Sequence, residues 1–146
     1  MRKAGILLHV SSLPNPYGIG TLGKEAYRWI DFLKKGGQTY WQMLPINPTS
    51  YGDSPYQSPS VFAGNPYLIS MEDLVERGFL TEADLKSLEG QDPKRVDYGR
   101  LFSTKMPLLE KAYFNHHLEE EAFRTFVAEN QFWLEDYACL LYTSPS

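Results

Sequence analysis

Gly5-Ile6-Leu7-Leu8-His9-Val10 and Thr39-Tyr40-Trp41-Gln42-Met43-Leu44-Pro45 bracket the part of the chain that decides its fold class. The first is a continuous apolar run without polar alternation. It predicts a strand buried on both faces, as in a parallel sheet. The second is rich in aromatic strand formers and stops at a proline. Between them, residues 11–20 carry Ser, Pro, Asn and Gly, which is loop chemistry. Thr21 is the expected helix N-cap. Ala26, Trp29, Ile30 and Leu33 then recur at helical spacing, widened by Phe32, until Gly36-Gly37 stops the helix. Strand, helix and strand make a βαβ unit with a right-handed crossover.

Downstream of Pro45 the pattern changes. Residues 46–66 hold Pro48, Pro55, Pro59 and Pro66, which forbid a regular element. Structureless loops beyond about 12–15 residues are uncommon and usually functional or disordered. Tyr51, Tyr56 and Phe62 weigh against disorder in this one. The remainder is helical. Ser70-Met71-Glu72-Asp73 is a capping-box signature closed by Gly78, and Thr81-Glu82-Ala83-Asp84 repeats it before Leu85 and Leu88. Residues 90–93 form a turn. Residues 98–117 form a helix in which Pro107 must lie in a first turn or at a kink. Residues 119–141 form one long helix or two abutting ones, with stripes at Ala122, Phe123, Phe126, Val127 and at Phe132, Trp133, Tyr137, Leu140.

Two strands cannot make a stable sheet alone. The expectation is therefore the N-terminal part of a larger α/β protein, with an open sheet edge. The second stripe breaks off into a polar tail, and residues 139–146 are expected to be non-native. The 146 residues fit one domain, and their hydrophobic content of 42% excludes disorder for most of the chain. Lys plus Arg number 14 against 18 Asp plus Glu, a net charge of −4, which argues against nucleic acid as a partner. No apolar run approaches the ~20 residues of a membrane span. The apolar run at residues 5–10 is too short for a secretory core. With one cysteine, Cys139, neither an internal disulfide nor a Cys-rich metal cluster can form, and the cytoplasm is the expected compartment.

Tyr51-Gly52-Asp53-Ser54-Pro55-Tyr56-Gln57-Ser58 carries the chemistry. It follows the C-terminal end of the second strand, where parallel α/β proteins place their ligands. Aromatic faces, one carboxylate, hydroxyls and an amide are what a neutral sugar needs: rings for its C–H faces, fixed donors and acceptors for its hydroxyls. A packed structural loop is the alternative on composition alone.

Leu13-Pro14-Asn15-Pro16-Tyr17-Gly18-Ile19-Gly20, Tyr40-Trp41-Gln42-Met43-Leu44-Pro45, the loop just quoted and Phe62-Ala63-Gly64-Asn65-Pro66-Tyr67-Leu68-Ile69 occur in that order. Together they resemble the 4-α-glucanotransferases of the amylomaltase type, the disproportionating enzymes of glycoside hydrolase family 77. Val96-Asp97-Tyr98 and Trp133-Leu134-Glu135-Asp136-Tyr137-Ala138 fit the same family, so the resemblance spans residues 4–138. It implies a (β/α)8 TIM barrel: residues 1–69 begin the barrel and carry the substrate loop 46–66, and residues 70–138 are a mainly helical insertion. It implies transfer of α-1,4-glucan segments between maltooligosaccharides by a retaining double displacement, in which one carboxylate attacks the anomeric carbon and a second protonates the leaving oxygen. In the family those carboxylates lie on later barrel strands, beyond residue 146. No cofactor and no metal are implied. The implied partners are maltooligosaccharides and α-1,4-glucans, with neither nucleic acid nor membrane. The alternatives are a non-catalytic glucan-binding module and a different (β/α)8 glycoside hydrolase.

Carried over by position, Tyr56 matches the tyrosine that stacks near the sugar beside the scissile bond, against a buried structural tyrosine. Ser54 and Asp53 match positions lining that cleft. Asp53 is expected to fix the loop or bond a sugar hydroxyl. It is not expected to be catalytic, because no second carboxylate lies near it in sequence and retaining chemistry needs one about 5 Å away. Tyr51 resembles an aromatic of an outer glucan groove, against an exposed loop ring. Phe102 aligns with an aromatic of the same groove, against a helix-core position, which its pattern favours. Asn65 is expected to hold the loop end through backbone bonds. His9, at the end of the first strand, reads as a satisfied structural histidine, against one that faces the active-site mouth; His116-His117 beside Glu119, Glu120 and Glu121 read as a solvated helix end, against a metal site. Trp29, Trp41 and Trp133 read as core.

Overall fold

The computed structural model describes residues 2–50, 52–115 and 120–143. Strand β1 (Gly5–Leu7) and strand β2 (Tyr40–Gln42) pair in parallel, with Gly5 opposite Tyr40, Ile6 opposite Trp41 and Leu7 opposite Gln42. Helix α1 (Lys24–Lys35) connects them, so the βαβ unit is present. β1 is half as long as the apolar run. After Leu8 N–H donates to Gln42 O (2.9 Å), the chain turns at His9 into a 3-10 turn at Val10–Ser12, which sends Val10 and Leu13 into the core. The expected burial on both faces is not met: Leu7 and Tyr40 are exposed, and no layer among the described residues covers that side. The other side holds Trp41, whose Nε1–H donates to Leu8 O (2.7 Å) and whose ring packs on the Val10, Leu13 and Ala26 cluster.

Thr21 is not the N-cap of α1. It is buried, and Leu22 N–H donates to Leu68 O (2.9 Å). Gly23 is the cap, and a Cβ there would stand 2.5 Å from Ser70 Oγ. Residues 21–23 are therefore committed to the 68–70 segment, and the helix begins only beyond them. Ala26 and Leu33 are buried, while Ile30 and Phe32 of the same stripe stay exposed. Gly36 caps the C-terminus and Gly37 takes φ 70°, the left-handed stop the glycine pair announces.

Among the described residues of 46–65 there is no helix or strand, yet the segment is tied down. Asn47 Nδ2 donates to Ala63 O (3.0 Å), and Asn65 N–H donates to Ile46 O (2.9 Å). Helix α2 (Met71–Glu76) starts at Ser70, whose Oγ accepts from Asp73 N–H (3.1 Å). The repeated signal at Thr81 yields a 3-10 turn at Asp84–Leu88 instead of an α-helix. Asp84 Oδ2 accepts from Thr81 N–H (2.9 Å), and Asp84 Oδ1 accepts from Lys111 Nζ (2.6 Å). Those bonds hold the Asp84 carboxyl down at about 2.

Helix α3 (Tyr98–Asn115) carries Pro107 in its interior, not in its first turn. Helix α4 (Glu120–Thr143) is one continuous element, and none of its described side chains is buried. Two clusters make the core. Val10, Leu13, Ile19, Ala26, Leu68 and Leu101 form one; Met71, Leu80, Leu85, Leu88 and Ala112 form the other. α3 feeds both, through Leu101 at one end and Ala112 at the other.

Between those two positions the same helix face buries Lys105 completely. Its Nζ donates to Tyr67 O (2.6 Å) and Ile69 O (2.8 Å). Burial pushes its ammonium down to about 8, with Glu72 opposing the shift. Between about pH 8 and 10.5 the unfolded chain still holds a proton that the native chain has released, so stability rises with pH in that window. The expected rise is up to about 3 kcal/mol across the window. Urea unfolding at pH 7.5 and 9.5, between which about 2 kcal/mol of that rise is expected, checks it. Lys105→Met should remove the slope.

Candidate functional site

The loop after β2 is organised around a turn at residues 50–57. Asp53 N–H donates to Ser50 O (3.0 Å), Gln57 N–H to Ser54 O (3.1 Å), and Ser50 N–H to Gln57 O (3.1 Å). Gly52 has φ 84°, the conformation a glycine takes in such a turn. Asp53 follows at φ 54° and is the only non-glycine residue at positive φ among the described residues. Aspartate tolerates this conformation better than most residues, but it still costs on the order of 1–3 kcal/mol, and such outliers cluster at functional sites.

Ser54 Oγ accepts from Tyr56 N–H (3.3 Å) and so helps set the direction in which Tyr56 leaves the loop. Tyr56 is 72% exposed in this chain. Phe102 is also exposed, on the first turns of α3, so the helix-core position favoured by its sequence pattern is not adopted. Tyr51, His116 and His117 lie outside the described residues. Asn65 behaves as expected: its Oδ1 accepts from Tyr67 N–H (2.9 Å) and caps the 3-10 turn at Pro66–Leu68.

Two cavities meet at Asp53. One, of about 210 Å³, is lined by His9, Ser11, Thr49, Asp53, Asn65 and Tyr98, among others. His9 is not satisfied as expected: its Nδ1 is buried without a hydrogen-bond partner, and burial lowers its pKa, so the ring is neutral at pH 7. The histidine at the end of β1 thus faces the same space as the loop carboxylate. The other cavity, of about 580 Å³, lies between Asp53 and residues 91–100. It brings Asp92 and Asp97 to the space Asp53 lines, which their separation in sequence conceals. Both are already engaged: Asp92 Oδ1 accepts from Lys94 N–H and Asp97 Oδ1 from Arg100 N–H, each at 2.9 Å. Asp53 bears on two phenols. Burial first, then its charge, raises the Tyr67 and Tyr98 pKa values. The site therefore offers an exposed ring, hydroxyls, a neutral imidazole and, around the larger cavity, three carboxylates with Arg95 and Arg100, polar groups able to bond the hydroxyls of a polyhydroxylated ligand. Farther along the same loop, Phe62 stacks on Trp133 of α4 with centroids 5.9 Å apart. Trp29 and Trp41 are half-buried and pack on the core cluster as expected, Trp133 is half-buried outside both clusters, and Cys139 is exposed on α4. Among the described residues no group of three or more His, Cys, Asp or Glu could hold a metal ion, and no helix is long and apolar enough to cross a membrane.

The sequence model of the family described as 4-alpha-glucanotransferase matches residues 8–143. The chain belongs to that family. It is 47% identical over 136 residues to the 4-alpha-glucanotransferase of Clostridium butyricum, a match covering 92% of this chain and 28% of the relative. It is 50% identical over 145 residues to the 4-alpha-glucanotransferase of Thermus thermophilus, covering 96% and 28%. Among solved structures, the amylomaltase of Streptococcus agalactiae in complex with acarbose superposes with a TM-score of 0.86 at 46% identity, over 94% of this chain and 28% of that one. The chain thus spans little more than a quarter of the length of these 4-alpha-glucanotransferases.

Tyr98 is the cavity-lining residue that sequence reasoning did not single out, whereas His9 takes the alternative place weighed for it, facing the loop cavity. Tyr98 left a trace in the sequence only as part of Val96-Asp97-Tyr98.

Proposed function

We propose that this chain is the part of a 4-alpha-glucanotransferase that presents Tyr56 to an α-1,4-glucan beside the bond being exchanged. The observation carrying this is the joint one: family membership over residues 8–143, and an exposed Tyr56 on a loop whose Asp53 lines both neighbouring cavities. Tyr56 supplies a stacking face for a pyranose. Asp53 and Ser54 sit where they can accept from sugar hydroxyls. Phe102 extends the aromatic surface toward an outer groove, and the family resemblance assigns Tyr51 to the same groove. The reacting carboxylates of a retaining double displacement belong to other parts of the polypeptide, as in the family's later barrel strands. We read residues 1–69 as the opening of a (β/α)8 barrel and residues 70–138 as a helical insertion, supported by the parallel β1–α1–β2 unit and the all-helical remainder. A reducing cytoplasm suits a chain with one cysteine.

The isolated 146-residue chain is expected to show no turnover of maltotriose, whereas the same segment within a full-length transferase should release glucose and longer oligosaccharides. Chromatography of the products checks both. Glucose release by the isolated chain would place a working carboxylate pair within these residues and overturn the assignment. Failure of the full-length protein on any maltooligosaccharide would overturn the activity itself.

A further inference from the structure

Helix α3 turns one stripe inward, Leu101, Lys105, Leu108 and Ala112, at the i, i+4, i+7 and i+11 spacing of a helix face. Three of these residues are apolar, and the fourth is the largest side chain in the molecule with essentially no exposure. An apolar residue there would bury the same stem without desolvating an amine. What the lysine adds is directional: its Nζ is bonded to the carbonyls of Tyr67 and Ile69, on either side of Leu68.

Those carbonyls lie at the exit of the loop that carries Tyr56. Asn65 caps the turn that contains Tyr67 and ties the loop exit to its entrance at Ile46. The Tyr67 ring meets Tyr98 edge to face at 5.9 Å. Asp53, three residues before Tyr56, lines the same two cavities as Tyr98. The turn therefore faces, across those cavities, a tyrosine pair in which one member stands on α3 and the other is held to α3 by Lys105.

We propose that Lys105 is a positioning residue for the reaction: by clamping the Tyr67 and Ile69 carbonyls to α3 it sets the Tyr67–Tyr98 wall of the cavities that the Asp53–Tyr56 turn lines from the other side. Its kinetic consequence rests on the transferase function proposed above; its structural consequence does not. A ring that must meet a sugar face loses rate steeply when misplaced, on the order of 100-fold for ~1 Å.

The test uses the full-length transferase that carries this segment, with Lys105→Met keeping the stem and removing the donors. Amide hydrogen exchange is followed at residues 52–57, at α1 as a reference and at 66–70, alongside steady-state kinetics on maltotriose. The expected result is exchange about 10-fold faster at residues 52–57, unchanged exchange in α1, and kcat lowered by about 10-fold with KM changed much less. Faster exchange confined to 66–70, faster exchange spread evenly over the chain, or wild-type kcat in the folded variant would overturn the proposal and leave Lys105 a structural residue. Should Lys105→Met fail to fold, Tyr98→Leu cuts the same support while leaving both lysine bonds in place. It must loosen residues 52–57 in the same way, and a wild-type loop in that variant overturns the proposal equally. If the wild-type protein does not disproportionate maltotriose, the exchange pattern alone decides the role of Lys105, and the activity falls separately.

Discussion

Replacing Tyr56 by alanine in the full-length transferase is expected to lower kcat on maltotriose by about 100-fold while leaving thermal stability close to wild type. The stability half follows from exposure: a ring that is 72% exposed contributes little to the core. The rate half follows from geometry. A ring face beside the reacting sugar fixes the pyranose plane for attack, and loss of that orientation acts on the barrier itself. If the ring held ground state and transition state equally, only KM would rise. Tyr56→Phe keeps the face and should stay within a few-fold of wild type, about 1 kcal/mol or less. Tyr51→Ala should change acceptor binding or the product-size distribution more than kcat. Steady-state kinetics of the three variants, with melting temperatures measured beside them, check the set. A folded Tyr56→Ala with wild-type kcat would take Tyr56 out of the active site.

Gly20→Ala is the substitution expected to damage the fold most. A Cβ at this position would overlap the Val10 carbonyl oxygen and stand 2.7 Å from Leu13 N and 2.8 Å from Leu13 O. All three atoms are backbone, so no side chain can swing aside. Gly20 N–H also donates to Ser11 O (3.0 Å), which locks it against the Val10–Ser12 turn. That turn carries Val10 and Leu13 into the core and lines the cavity that His9 and Asp53 share. The expected loss is about 3 kcal/mol or more, a large share of the ~5–15 kcal/mol available to a domain. Gly64→Ala is the matched control, since a Cβ there meets nothing within 4 Å, and it should lie within about 0.5 kcal/mol of wild type. Urea midpoints of the two variants decide. Equal midpoints would mean that the 10–13 turn yields to the added methyl.

The amino-acid sequence by itself determined the features that depend on a residue and its near neighbours. Gly36-Gly37 ends α1 because a left-handed residue closes a helix wherever it stands. Ser70 begins α2 because its hydroxyl reaches the Asp73 amide three residues on. The prolines of residues 46–66 exclude regular structure locally, and the apolar run followed by loop, amphipathic helix and aromatic strand was enough for a parallel βαβ unit. The quoted motifs were likewise enough for the family. Tertiary structure alone decided the rest, because the deciding partners are far away along the chain. Gly23 caps α1 in place of Thr21 since residues 21–23 bond to the segment at 68–70. Leu7 and Tyr40 stay exposed because strand periodicity describes a face and says nothing of what covers it. Phe102 leaves the core and Lys105 enters it on one helix. Side-chain polarity alone would order those two the other way, but the two carbonyls that the ammonium satisfies lie 36 and 38 residues upstream. His9, Asp53 and Tyr98 share a cavity for the same reason: a strand end, a loop and a helix start converge there, and no spacing along the sequence records their meeting.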